Sequence, residues 1–159
     1  MTEFRARLLS DEAGERAFVA KSWVESFSSS EMARLISHAG SLGNPHGGWR
    51  ASQEYWSTWN PLVDALLARA RTTVLLDDAG LIAAFICWEP WEGAPCVHYV
   101  YVRLMYRRQR LASRLVGELP RGLVYYTHRS RGVTKIPDGW VYTLRPLIGA
   151  VRAEEAQAA

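Results

Sequence analysis

Apolar and polar positions change their period along the chain, and each change marks an element. Residues 4–9 (Phe-Arg-Ala-Arg-Leu-Leu) alternate apolar and basic side chains for most of their length, which predicts an opening strand. Ser10 follows as an N-cap, with Asp11 and Glu12 in the first turn. Val19, Trp23 and Phe27 recur every fourth residue, flanked by Ala20 and Val24, and predict a helix to about Phe27. Three serines at 28–30 stop it, and residues 31–39 read as a second short helix. Residues 40–51, with four Gly, Pro45 and His46, read as a surface loop.

Asn60-Pro61 supplies a cap followed by proline at a first helical position, and Leu62, Val63, Leu66, Leu67 and Ala70 form the stripe behind it. The helix either begins there or starts near Ser52 and bends at Pro61. Residues 72–76, the turn Asp77-Asp78-Ala79-Gly80 and residues 81–88 read as strand, turn, strand. Residues 89–95, with two Pro and a Gly, read as a loop, and the β-branched and aromatic run 96–102 as a strand. A helix is expected from about Gln109, with Leu111, Ala112, Leu115, Val116 and Leu119 on one face. Pro120 and Gly122 end it. Strands are expected at 123–127 and 140–144, with a loop over 128–139 between them, and a frayed tail from Ala153. The order is mixed α/β, one domain over 1–152, a central mixed sheet flanked by helices.

Composition narrows the class. At 159 residues the chain is the size of one domain, and 48% hydrophobic with 22% charged residues is too apolar for a disordered protein. The longest nearly apolar run, residues 81–88, is far short of the roughly 20 needed to span a bilayer. Residues 1–5 lack a basic-then-apolar leader, so a cytoplasmic protein without membrane contact is expected. Cys87 and Cys96 lack ligand spacing, so neither a disulfide framework nor a metal site is expected.

Charge is uneven. The formal net charge of +3 divides into −4 over residues 1–95, +9 over 96–152 and −2 over the tail. Seventeen of the nineteen basic residues are Arg, the side chain suited to forked phosphate recognition, so an anionic partner is expected for the C-terminal half.

The densest part of that half is residues 101–115, where a strand feeds a short basic turn that opens an amphipathic helix. Unpaired N–H groups at such a junction suit phosphate or pyrophosphate, and Arg107 and Arg108 add charge-assisted contacts. The junction resembles motif A of the GCN5-related N-acetyltransferase (GNAT) superfamily, Arg/Gln-x-x-Gly-x-Gly/Ala after a strand ending in Tyr-Val. Arg107-Arg108-Gln109-Arg110-Leu111-Ala112 fits at Arg107 and Ala112, with Tyr101-Val102 upstream. Together with the element order, the resemblance covers residues 4–127. Arg110 stands where the family has Gly, so its side chain either adds a phosphate contact or crowds the site. The family's helix after the fifth strand, which often carries a tyrosine general acid, has no counterpart, and the C-terminal part is shortened.

The resemblance implies acetyl transfer from acetyl-CoA to an amine by direct attack on the thioester, without a metal. It implies that main-chain groups of Val100, Tyr101 and Val102 pair with the pantetheine arm. It places the pyrophosphate on Arg107, Arg108, Gln109, Arg110, Leu111, Ala112 and Ser113. Many family members carry a base near the position of His98, which by strand alternation shares a face with Val102. His98 is thus either that base or a strand histidine satisfied by its neighbours. Glu89 is a second base candidate or a solvated loop carboxylate. Tyr125, Tyr126 and Tyr142 are acid candidates or sheet packing. Trp56 and Trp59 read as core, and Trp49 and Trp91 as binding surface. Arg121, Arg129, Arg131, Lys135 and Arg145 are either a solvated face or a track for nucleic acid, which would make the acceptor a base amine or a tRNA-linked group. A non-catalytic binding domain of the same fold is the reading from another class. Acceptor identity and oligomeric state are left open.

Overall fold

The computed structural model describes residues 3–10, 13–27, 53–129 and 135–147. Within them six strands form one sheet in chain order, β1 (Arg5–Leu8), β2 (Arg71–Leu76), β3 (Ile82–Trp91), β4 (Ala94–Val102), β5 (Val124–Tyr126) and β6 (Trp140–Tyr142). The first four pair antiparallel; β5 and β6 pair parallel to β4 and to each other. Helices α1 (Ala13–Phe27) and α2 (Gln53–Arg69) precede β2, and α3 (Leu111–Gly117) crosses from β4 to β5. This is the mixed α/β order expected, element by element, among the described residues. The second short helix at 31–39, Trp49, Arg131 and the tail lie outside them. No helix of the described residues is long and apolar enough to cross a membrane.

The two faces of the sheet have separate cores. On one, Val19, Trp23, Val24 and Phe27 of α1 and Tyr55, Trp59, Val63 and Leu66 of α2 pack on Val74, Phe85 and Tyr99. On the other, Leu111, Leu115 and Leu119 pack on Leu75, Ala84, Ile86 and Val97. The four-residue spacing of α1 buries its stripe as periodicity requires. The helical stripe before β2 starts at Gln53 and runs through Pro61, so the longer of the two alternatives holds. Trp59 is buried, and Trp56 packs at the edge of the same core, as expected.

The stretch 89–95 departs from expectation. It is not a loop but the end of a hairpin: β3 runs to Trp91, β4 starts at Ala94, and Glu92-Gly93 turn between them with φ of 49° and 80°. Positive φ at both turn residues matches the right-handed twist of the strands. Pro90 and Pro95 face each other across this ladder, beyond the last pair of β2 with β3 at Arg71↔Trp88. Their missing N–H groups therefore leave the β2–β3 ladder intact. Glu89 is consequently a strand residue, 8% exposed, and not a solvated loop carboxylate.

Candidate functional site

The register of β3 with β4 holds the decisive local feature. Cys87 pairs with Tyr99 but Trp88 pairs with Val97, so β4 carries one extra residue, His98, at this point. A bulge of this kind breaks the period of two. Val97, Val100 and Val102 pack toward α3, whereas His98 and Tyr99 both stack near Trp23 of α1. The expectation that His98 shares a face with Val102 is therefore corrected: the bulge turns it to the opposite side.

There His98 closes a buried polar chain. Its side chain is fully buried, with Nε2 3.0 Å from Glu89 Oε1 and Nδ1 3.0 Å from Thr127 Oγ1. Arg69 grips the same carboxylate through Nε and a terminal nitrogen, both at 2.9 Å, and also donates to the Pro146 carbonyl. Burial pushes the Glu89 carboxyl up, but hydrogen bonds from His98 and Arg69 outweigh this and hold it below the usual carboxylate range. Burial pushes the His98 imidazole down, against the pull of the carboxylate, so it is neutral. Nε2–H then donates to Glu89 and Nδ1 accepts from Thr127. Both nitrogens are used.

The last backbone link between β4 and β5 lies beside this chain: Thr127 N–H donates to the Val97 carbonyl at 3.0 Å, after the pairs Cys96↔Tyr125 and Val97↔Tyr126. Beyond it the two strands part. The Arg103 N–H donates to Ala83 of β3, so strand alternation turns the peptide groups of Val102 and Val100 to the opposite edge, toward the gap. A groove of about 850 Å³ occupies that gap. Its walls are Val97 to Val102 on one side and Tyr126, His128, Ile136, Pro137 and Trp140 on the other; His98 is not part of the lining. That volume falls within the range of roughly 300–1,000 Å³ typical of small-molecule sites.

One end of the groove is basic. After β4 a 3₁₀ turn (Leu104–Tyr106) leads into Arg107, Arg108, Gln109 and Arg110, and Lys135 also lines the groove. Tyr106 anchors the turn by donating to Asp77 Oδ2 at 2.7 Å and stacking edge-on to Phe4. Asp77 in turn accepts from the N–H groups of Ala79 and Leu81 through Oδ1. That donation from Tyr106 and the backbone bonds hold the Asp77 carboxyl below its ordinary range. Arg108 and Arg110 have φ of 68° and 59°. Arg110 thus occupies, as a non-glycine, the left-handed conformation, with its side chain exposed. Left-handed residues alternating with others along a turn are one way that backbone N–H groups come to face a common anion. At seven residues α3 is short, so charge from the turn outweighs the helix dipole.

Of the residues expected to hold a cofactor, Val100, Tyr101, Val102, Arg107, Arg108, Arg110, Leu111, Ala112 and Ser113 line one groove. Gln109 does not; it is exposed on the turn. His98 and Glu89 are not part of the groove lining. Cys87 and Cys96 are buried and free, and burial pushes both thiols up to about 12. An elongated ligand with an anionic end and an apolar arm fits these residues: cations at the turn, open backbone groups along β4, aromatic and aliphatic walls between.

Residue periodicity missed His128. It lies two residues past β5, at the carboxyl end of a parallel strand, which is where ligands meet open α/β sheets. Its Nε2 lies 2.8 Å from Ser26 Oγ and its ring packs edge-on to Phe27. Burial pushes the imidazole down to about 4.

No protein-family model and no curated protein matches the chain. Several solved structures resemble it in part. A proposed acetyl transferase of Pyrococcus furiosus is 15% identical over 72% of this chain and 70% of its own, with a TM-score of 0.45. A proposed GNAT-family acetyltransferase of Desulfovibrio desulfuricans is 18% identical over 74% of this chain and 62% of its own, at 0.41. The GCN5-related glucosamine N-acetyltransferase region of a fungal multi-domain β-N-acetylglucosaminidase is 11% identical over 73% of this chain, at 0.43. The match spans 12% of that fungal chain and less than two thirds of the Desulfovibrio one.

Proposed function

We propose that the protein is an acyl-CoA-dependent N-acyltransferase of the GNAT type that moves an acetyl group from acetyl-CoA to an amine. One observation carries this reading: a groove opens where β4 leaves β5 and ends on a turn of three arginines, two of them at positive φ. Acetyl-CoA, when bound, supplies a thioester carbonyl open to attack by an amine. Arg107, Arg108, Arg110 and the adjoining N–H groups would hold its phosphates, with Ala112 and Ser113 beside them. The exposed peptide edge of Val100 and Val102 would pair with the pantetheine amides, and the same edge offers a preorganised donor for a carbonyl oxygen.

The direction of β4 orients the ligand. Phosphates at residues 107–110 place the arm along Val102 and Val100, so the thioester end falls near the bulge, between Tyr99 and His128. Glu89 and His98 enter as positioning groups. With Arg69 and Thr127 they tie α2, β3, β4 and β5 together at the point where the strands part. Arg121 and Arg129, exposed beyond the groove, are the residues a nucleic-acid acceptor would use.

Thermal melting tests the reading. Acetyl-CoA at about 100 times its Kd stabilises a native-only binder by about 2.7 kcal/mol, a rise of roughly 5–10 °C for a chain of this size. No shift at millimolar acetyl-CoA, together with salt-sensitive RNA or DNA binding, would select the non-catalytic reading instead.

A further inference from the structure

We infer that His128 is the catalytic base of this site, its Nδ1 taking the proton that the acceptor amine loses. The inference rests on the acyl-CoA reading of the groove. Four observations lead to it. His128 lines the groove just past the final β4–β5 link, on the wall facing Tyr99, with ring centroids 5.5 Å apart. That is the end away from the arginine turn, where the direction of β4 brings the reacting carbon.

The tautomer follows from its partner. Ser26 Oγ lies 2.6 Å from the Trp23 carbonyl, which can only accept and is the nearest place for the hydroxyl proton. With the proton there, Ser26 accepts from His128 at 2.8 Å, and we place the His128 proton on Nε2. Nδ1 is left with its lone pair. It is buried and has no hydrogen-bond partner among the described residues. Leaving a buried acceptor unpaired destabilises a protein. Such a cost is explained where an arriving donor meets the atom, and the amine N–H is the donor this reaction provides.

His98 cannot take the part in this geometry, because both its nitrogens are engaged and it is not part of the groove lining. The ring of His128 is held by Phe27 and Tyr99 as well as by Ser26, so its orientation does not depend on the ligand. The balance of the step is simple. The amine lone pair forms the C–N bond, the C–S pair leaves on sulfur, and the amine proton passes to Nδ1. The imidazolium then returns that proton to the thiolate, leaving amide, thiol and neutral His128. Burial favours this return, since a desolvated imidazolium gives up its proton readily.

The test uses the full chain, wild type and His128→Gln, whose side-chain amide can still donate to Ser26 but lacks the second ring nitrogen. Nitrogen-15 NMR of the wild type should show the Nε2–H tautomer. Saturation with the non-cleavable analogue acetonyl-CoA should then move the Nδ1 resonance of His128 and leave that of His98 in place. With benzylamine as acceptor and thiol release as readout, His128→Gln should lose about 100-fold in kcat with the KM for acetyl-CoA within about twofold. An Nδ1–H tautomer, an unmoved Nδ1 in the saturated complex, or unchanged kcat overturns the assignment. The NMR readouts decide by themselves if benzylamine is not turned over. Calorimetry separates the two levels of the claim: failure of wild type to bind acetonyl-CoA removes the acyl-CoA reading, whereas binding with a failed His128 result removes only the base.

Discussion

Arg110 offers a clean separation of backbone strain from charge. It sits at φ 59°, ψ 20°, in the left-handed region, and its side chain is exposed. A side chain there costs about 1–2 kcal/mol relative to the right-handed form, and glycine escapes that cost while giving up about 0.5–1 kcal/mol of chain entropy. Arg110→Gly should therefore stabilise the protein by about 0.5–1 kcal/mol, a rise in Tm of roughly 1–4 °C. Arg110→Ala removes the same guanidinium but keeps a side chain at positive φ, so its Tm should stay near that of wild type. Both variants lose a cation from the groove. If it holds a phosphate through a charge-assisted hydrogen bond worth about 1.5–3 kcal/mol, both should bind acetyl-CoA at least about tenfold more weakly. Differential scanning calorimetry and isothermal titration with acetyl-CoA make the measurements. A glycine variant that melts no higher than the alanine variant refutes the strain argument. Undiminished affinity in both refutes the placement of Arg110 on a phosphate.

Three further outcomes are expected. Glu89→Ala leaves His98 and the Arg69 guanidinium without their carboxylate and should cost about 3 kcal/mol in urea unfolding, the low end for a buried pair because Arg69 is 36% exposed; a loss below about 1 kcal/mol would show that the chain is not structurally coupled. His128, near 6.5 when unfolded and about 4 when folded, takes up its proton first in the unfolded chain as pH falls. Its contribution is complete above pH 6.5 and lost toward pH 4, about 3 kcal/mol in all, and His128→Gln should remove that part of the acid sensitivity in parallel urea titrations. Cys87 and Cys96, buried with thiols pushed up to about 12, should resist Ellman's reagent in the native protein and react promptly in guanidinium; prompt native reaction would contradict their burial.

Much of the molecule was legible in the order of its residues. The four-residue recurrence of Val19, Trp23 and Phe27 and the alternation in 96–102 are local signals, and local sterics and burial carry them directly into a helix and a strand. The basic turn at 107–110 is likewise a local motif, and the residues around it line a single groove except for Gln109, whose position on the turn points it to solvent. The prolines at 90 and 95 misled, because their meaning depends on whether a third strand needs their N–H groups, and none pairs there.

The tertiary structure alone decided the chemistry of the histidines. Counting by twos from Val102 puts His98 on the α3 face of the sheet, and the bulge opposite Cys87 and Trp88 reverses that with one added residue. A bulge is a property of two paired strands, so nothing within β4 itself announces it. His128 gains its meaning the same way, from Ser26 across a separation of 102 residues and from a gap that exists only because β4 and β5 stop pairing. Sequence determined which segments would be strands, helices and a cationic turn, because those depend on neighbours along the chain. Which nitrogen is left with a free lone pair, and on which side of the sheet, depended on neighbours in space.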